Sequence, residues 1–154
     1  MEYKIKIKYL EGAKKIEKAT IGSQWDCFAF SVKNETAIGD SWQKAVYPNE
    51  IIKISLGFML EMPDNMEAIL RPRSGLATEG IVLANGIGTI DSDYRGEVTA
   101  ILYSTSLNRF EQTIKKGEKI CQLAFQEKPQ IELIEVDELS ETKRGTGGFG
   151  STGK

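Results

Sequence analysis

Tyr3-Lys4-Ile5-Lys6-Ile7-Lys8-Tyr9 carries an apolar residue at every odd position and lysine at every even one. A period of two gathers the apolar side chains on one side of an extended chain, so the segment predicts a β-strand with one buried face. Outward from it, further strand-like runs follow at 25–32, 51–60, 67–71, 81–83, 97–104, 109–114, 119–126 and 131–136. Turn-forming residues punctuate most of the gaps, as in Tyr47-Pro48-Asn49-Glu50, Met62-Pro63-Asp64-Asn65 and Lys115-Lys116-Gly117-Glu118. Many short strands with frequent turns predict an all-β fold: a sandwich, a jelly roll or a barrel. One short helix is expected, opening at Ser74 with Glu79 later. The polar, unpatterned stretch from Asn34 to Trp42 reads as an exposed loop.

The 154 residues suit a single domain. A chain of this length buries about 70% of its unfolded surface and needs no disulfide or structural metal to fold. The net charge is only −2, so no global basic field invites a nucleic-acid polymer, and a small anion has to be held by a local cluster. Cys27 and Cys121 sit in apolar runs and read as core or half-buried thiols. Met1 leads straight into the lysine alternation and no apolar run is long enough to span a bilayer, so a cytoplasmic protein without signal peptide or membrane partner is expected.

The chain has no histidine. Ser-His triads, histidine general acids and histidine-bearing zinc sites are thereby excluded. Two widely separated cysteines do not make a zinc centre either. Chemistry here falls to carboxylates, Lys and Arg, hydroxyls, backbone groups and a hard cation such as Mg²⁺.

Three segments can carry it. Arg71-Pro72-Arg73-Ser74-Gly75-Leu76-Ala77, at a strand-to-helix junction, offers a guanidinium fork, a hydroxyl and free N–H groups suited to phosphate oxygens. The stretch from Leu83 through Asn85 and Asp91-Ser92-Asp93-Tyr94 to Glu97 reads as a hairpin; a Ca²⁺ loop fails because position 102, where a bidentate Glu is needed, is Leu. Residues 144–154 contain five glycines, with Phe149 among them and Ser151 and Thr152 directly after. This is either a flexible terminus or linker, or a backbone cradle for an anion; Phe149 argues for the second. The segment also fits Gly-x-x-x-x-Gly-Lys at 148–154, but a phosphate loop opens a helix and the sequence stops at the lysine.

Together these segments resemble the five motifs of the trimeric dUTPase family, in the family's order. Trp25-Asp26-Cys27 resembles the first, Pro72-Arg73-Ser74-Gly75-Leu76-Ala77 the second and Gly88-Thr89-Ile90-Asp91-Ser92-Asp93-Tyr94-Arg95-Gly96 the third. Gly117-Glu118-Lys119-Ile120-Cys121-Gln122-Leu123 resembles the fourth, and residues 144–153 the fifth. The departures are Gln24-Trp25 and Cys27 around the first-motif Asp26, Thr89 for a usual aliphatic, Lys119 for a usual Arg, and a longer loop at 34–42. They touch local packing rather than the residues that do chemistry.

The resemblance implies a distorted jelly-roll or β-barrel subunit with one short helix (residues 1–143) and a flexible Gly-rich arm (residues 144–154) that closes over the active site. It implies a homotrimer with shared active sites that hydrolyses dUTP to dUMP and pyrophosphate with Mg²⁺. That reaction limits uracil incorporation into DNA and supplies dUMP for thymidylate synthesis. By the same resemblance Asp91 is the general base, Asp26 holds Mg²⁺ through water, and Arg73, Ser74, Gly75 and Gln122 contact phosphates. Asn85 and neighbouring backbone groups read the uracil edge, with Gly88, Thr89 and Ile90 among the substrate-binding residues. Tyr94 lies against the deoxyribose, Phe149 stacks on uracil, and Arg144, Gly150 and Ser151 complete the tail contacts.

Two other classes fit parts of the pattern. A dCTP deaminase shares the fold and an Arg-Ser phosphate motif, but the Gly-Phe-Gly-Ser-Thr-Gly tail and the Asp91 segment argue against it. A regulatory protein on this fold could bind a repressor or other partner through the 34–42 loop, alongside catalysis or instead of it.

Overall fold

The computed structural model describes residues 2–35, 41–105 and 112–148. The chain starts with β1 (Lys6–Tyr9), β2 (Glu17–Lys18), β3 (Trp25–Phe28), β4 (Ser31–Val32) and β5 (Gln43–Val46). It continues through β6 (Ile51–Ser55), β7 (Phe58–Glu61), β8 (Met66–Pro72), the short helix α1 (Ser74–Thr78), β9 (Ile81–Leu83) and β10 (Gly88–Ile90). It ends with β11 (Thr99–Ser104), β12 (Gln112–Lys115) and β13 (Lys119–Glu127). The result is an all-β, distorted jelly roll with one short helix.

Two sheets dominate. One has the order β10-β8-β13-β3-β2 and the other β4-β6-β11-β9, with the pairs β1-β7 and β12-β5 beside them. Every pairing is antiparallel. Alternation drives the packing: in β11, Ala100, Leu102 and Ser104 point inward, while Thr99, Ile101 and Tyr103 are only half-buried. Ile54, Phe58, Leu102, Ile114 and Leu123 are fully enclosed between the layers. Burying such side chains is worth roughly 1.5–3 kcal/mol each, so the core needs no cross-link.

The opening alternation holds. Lys4, Lys6 and Lys8 are exposed, and Tyr3, Ile5 and Ile7 are half-buried along a groove of about 470 Å³ that also meets Leu60 and Phe125. Two expected strands are split. The 25–32 run breaks after Phe28 because the chain crosses between sheets: the Ala29 N–H donates to Glu118 and the Phe30 N–H to Ser55. The 51–60 run breaks at Gly57, whose φ of +73° turns the chain. A Cβ there would sit 2.5 Å from Ala13 Cβ and 2.8 Å from Phe30 Cγ, so only glycine fits.

The expected strand at 131–136 does not form. Ile131, Leu133, Ile134 and Val136 are exposed, and their segment pairs with no strand among the described residues, leaving its alternation without a ladder to join. The hairpin expected across 83–97 is also corrected: β9 pairs with β11 and β10 with β8, so the two strands flanking Asn85 belong to different sheets. Strands β2 and β5 are too short to stand out by period and were not expected. Of the 109–114 run, residues 109–111 lie outside the described residues, and β12 begins at Gln112. The loop from Asn34 to Trp42 is described only at its ends. Trp42 is not exposed but half-buried, its indole N–H donating to the Phe30 carbonyl at 2.8 Å.

Candidate functional site

Asp26, in the middle of β3, is a carboxylate with only 3% of its surface exposed. Three donors surround it. Lys119 Nζ lies 2.9 Å from Oδ2, Gln122 Nε2 donates to Oδ1 at 3.1 Å, and Arg73 Nε stands 3.5 Å from Oδ1. Lys119 also reaches Glu17 on β2 at 3.1 Å, which ties the cluster to the sheet edge. Arg73 is held in turn by an Nη1–H bond to the Lys119 carbonyl at 3.1 Å.

A register shift makes this convergence. Along β13, Gln122 is opposite Asp26 while Lys119 is opposite Phe28, with an irregularity between Lys119 and Cys121. Residues 26 and 28 share a face of β3, so Lys119 and Gln122 share one too, although residues three apart in a regular strand face opposite sides. A β-bulge re-aims a side chain in this way. Burial alone would raise the Asp26 carboxyl, but the hydrogen bonds from Lys119 and Gln122 and the charge of Arg73 hold it below the ordinary carboxylate value. Asp26 and Glu17 correspondingly hold the Lys119 ammonium above its ordinary value. Cys27 and Cys121 face each other beneath this cluster. Both are fully buried, and the Cys121 hydrogen bond and burial push the Cys27 thiol well up, as suits core thiols rather than nucleophiles.

At the end of β8 the chain enters α1, with Arg73 as the N-cap and the first helical bond running from the Ala77 N–H to the Arg73 carbonyl at 2.9 Å. The amides of residues 74–76 therefore precede any intrahelical acceptor. Ser74 and Gly75 are exposed, and the position a Cβ would take at Gly75 is open space. The corner thus presents a guanidinium, a hydroxyl and bare N–H groups beside the Asp26 cluster.

A second group runs from Asn85 to Glu97. Gly86, with φ +68°, turns the chain after an exposed Asn85. A Cβ at Gly88 would press on Leu70 Cβ at 3.2 Å and Asn85 Nδ2 at 3.3 Å, so glycine leaves room for the amide. Ile90 is buried and anchors β10; Thr89 and Asp91 on either side of it are exposed. The Tyr94 N–H donates to the Asp91 carbonyl at 3.2 Å, which fixes these two residues in one turn. Tyr94 itself is 47% exposed.

Register measures how far apart the two groups are. Gly88 is opposite Leu70 and Ile90 opposite Ala68, whereas Gln122 is opposite Arg71. Asp91 therefore lies beyond the level of Ala68, about four residues or ~13 Å along the sheet from the level of Asp26, and three strands of ~4.8 Å away across it. Within one chain, Asp91 and Asp26 do not meet at one atom of a small ligand.

Residues 41–153 match the dUTPase family. The chain belongs to the dUTPase family. It is 41% identical to the deoxyuridine 5'-triphosphate nucleotidohydrolase of Caldanaerobacter subterraneus subsp. tengcongensis over 99% of each chain. It is 50% identical to that of Nautilia profundicola over 71% of this chain and 76% of the relative. Its fold matches Staphylococcus bacteriophage 80alpha dUTPase, solved with dUPNHPP, at a TM-score of 0.77 and 22% identity, covering 98% of this chain and 99% of that one. A mutant dUTPase of phage phi11 of S. aureus, in which a structural Mg(II) ion is coordinated, matches at a TM-score of 0.70 and 18% identity, covering 88% and 97%.

Of the residues that the dUTPase resemblance singles out, Asp26, Arg73 and Gln122 are brought into contact, with Ser74 and Gly75 at the adjoining corner. Asn85, Gly88, Thr89, Ile90, Asp91 and Tyr94 form the separate second group. Arg144 joins neither: its Nε–H donates to the Gly147 carbonyl at 2.8 Å, closing a local turn. Phe149, Gly150 and Ser151 lie outside the described residues. Lys119, as a partner of Asp26, and Glu17, as a partner of Lys119, were missed; strict alternation places Lys119 on the opposite face from Gln122. The Gly117 turn just before β13, with φ +78°, is the nearest sequence signal of the irregularity. Among the described residues no group of three or more His, Cys, Asp and Glu gathers, and no helix is long and apolar enough to cross a membrane.

Proposed function

We propose that this chain hydrolyses dUTP to dUMP and pyrophosphate with Mg²⁺, removing a precursor of uracil in DNA and supplying dUMP for thymidylate synthesis. The observation that carries the proposal is the Asp26–Arg73–Gln122 cluster, preassembled beside the α1 corner in a chain of the dUTPase family. A single buried carboxylate ringed by cations is a poor site for a bare divalent ion. It does suit a hydrated Mg²⁺ that arrives on a triphosphate, since Mg²⁺ keeps several waters and binds through one or two carboxylates plus phosphates. Asp26 would hold the ion through water, and the bound ion supplies charge neutralisation of the phosphates. Arg73, Ser74, Gly75 and Gln122 orient the phosphate oxygens and contribute positioning and electrostatic stabilisation.

Asp91 is the proposed general base for the water that attacks the α-phosphorus. As an exposed carboxylate it is open to an attacking water, the geometry a general base needs. Asn85 and the backbone of Gly88, Thr89 and Ile90 read the uracil edge, and Tyr94 walls off the ribose 2′ position. The separation between the Asp91 and Asp26 groups supports a homotrimer in which each site takes the two groups from different copies. We also propose that residues 144–154 act as an arm over the nucleotide, Phe149 on the base and Arg144, Gly150 and Ser151 on the rest. Base–aromatic stacking of that kind is worth about 1–3 kcal/mol.

The test is a nucleotide panel with Mg²⁺. Pyrophosphate release from dUTP, and not from dCTP, dTTP or UTP, is expected. Ammonia release from dCTP would assign the chain to the deaminase class instead, and no turnover of any nucleotide would leave only a binding role.

A further inference from the structure

Gly96 lies two residues past Tyr94 with no side chain, and its φ is not in the left-handed region. The backbone at 96 therefore accepts any L-residue. What excludes one is the Tyr94 ring: a Cβ built on Gly96 would overlap the Tyr94 hydroxyl and Cζ, and would sit 2.8 Å from Cε2. The hydroxyl end of the ring occupies the space a side chain at 96 would take.

The same residue is tied at two other points, one on the ring and one on its backbone. Its hydroxyl donates to the Glu97 carbonyl at 3.3 Å, and the Tyr94 N–H to the Asp91 carbonyl at 3.2 Å. Glu97 is itself fixed, its carboxylate gripped by the Ser55 hydroxyl and the Lys33 ammonium. The hydroxyl's acceptor thus belongs to a clamped residue, while the ring's depth is set by how closely it approaches position 96. An exposed aromatic without such a seat would sample several rotamers, and a wall that moves discriminates poorly.

We infer that Gly96 is a specificity-determining residue, a positioning residue that acts through Tyr94 to set selection of deoxyribose over ribose nucleotides. The inference rests on the reading of Tyr94 as the wall at the 2′ position. A methyl group at 96 lifts the ring off its seat, and the displaced ring no longer fills the volume a 2′-hydroxyl would need.

The experiment compares kcat/KM for dUTP and UTP in the wild type, Gly96→Ala, Tyr94→Ala and the double variant. A steric wall discriminates against an added hydroxyl by about 100-fold, so Gly96→Ala is expected to lower the dUTP-to-UTP ratio by roughly 10-fold or more. In the Tyr94→Ala background the same change should leave the ratio unmoved, because the ring it displaces is gone. Gly96→Ala with the wild-type ratio, beside a relaxed Tyr94→Ala, overturns the inference alone. An equal effect of Gly96→Ala in both backgrounds overturns it too. An unrelaxed Tyr94→Ala removes the wall reading and the inference with it. If Gly96→Ala fails to fold, restored folding in the double variant supports the ring clash, and a double variant that also fails to fold overturns it.

Discussion

Lys119 and Gln122, three residues apart on one strand, donate to the two oxygens of the same carboxylate, at 2.9 and 3.1 Å from Asp26. The bulge between Lys119 and Cys121 allows it. Its effect is to keep a nearly buried Asp26 ionised and aimed at the corner where Arg73 and α1 meet. The arrangement is preformed, as the proposed role of Asp26 toward a Mg²⁺–triphosphate requires.

Acid stability should depend on Lys119. Asp26 has its folded value lowered, so it contributes stability that is fully present above its unfolded value of about 3.9 and is lost as pH falls through the folded value. Lys119→Met removes a hydrogen bond and a charge while burial, which raises the carboxyl, stays. The acid-unfolding midpoint, followed by Trp fluorescence, should move to higher pH in Lys119→Met and stay near wild type in Lys119→Arg. An unmoved midpoint in Lys119→Met would show that Lys119 does not support the carboxylate.

The two arginines of β8 and its end should behave differently. Arg71 is exposed and stands opposite Gln122 in register, whereas Arg73 is braced by the Lys119 carbonyl and stands at Asp26. A braced guanidinium loses less freedom on gripping phosphate. Arg73→Ala should lower kcat/KM for dUTP by roughly 10- to 100-fold, in line with about 1.5–3 kcal/mol for a hydrogen bond to a charged group. Arg71→Ala should cost far less. Equal losses would mean that the wrong arginine has been assigned to the phosphates.

Removing the tail should separate folding from turnover. The core strands end at Glu127, and residues 128–148 form no helix or strand. Five glycines in 144–154 make that segment costly to order, about 1 kcal/mol or more per residue fixed, so ordering has to be offset by contacts to the nucleotide. Truncation after Lys143 should leave thermal stability unchanged and kcat/KM severely reduced. Full-length rates in the truncated chain would make the tail dispensable.

Much of the fold was legible because burial imposes a period of two. The lysine alternation of 4, 6 and 8 and the alternating inward face of β11 announce strands without any other information. Where the outcome depended on partners rather than period, reading failed. The 131–136 run has strand-like residues but no ladder among the described residues, and β9 and β10 look like two arms of a hairpin yet join different sheets. The motifs named the candidate residues in advance, and of these Asp26, Arg73 and Gln122 come into contact. The electrostatics of the site were not legible, because the bulge that turns Lys119 toward Asp26 changes which face a residue takes, and Glu17 enters through a two-residue strand.

Asp91, an exposed carboxylate fixed in one turn with Tyr94, is the proposed base on which hydrolysis depends. Asp91→Asn keeps the shape and removes the proton acceptor. Single-turnover hydrolysis of dUTP with Mg²⁺ should fall by about 10²–10⁴ or more, the range of a lost general base. Affinity for a non-hydrolysable dUTP analogue, measured on the same protein, should stay close to wild type. Near-normal hydrolysis by Asp91→Asn would contradict the assignment.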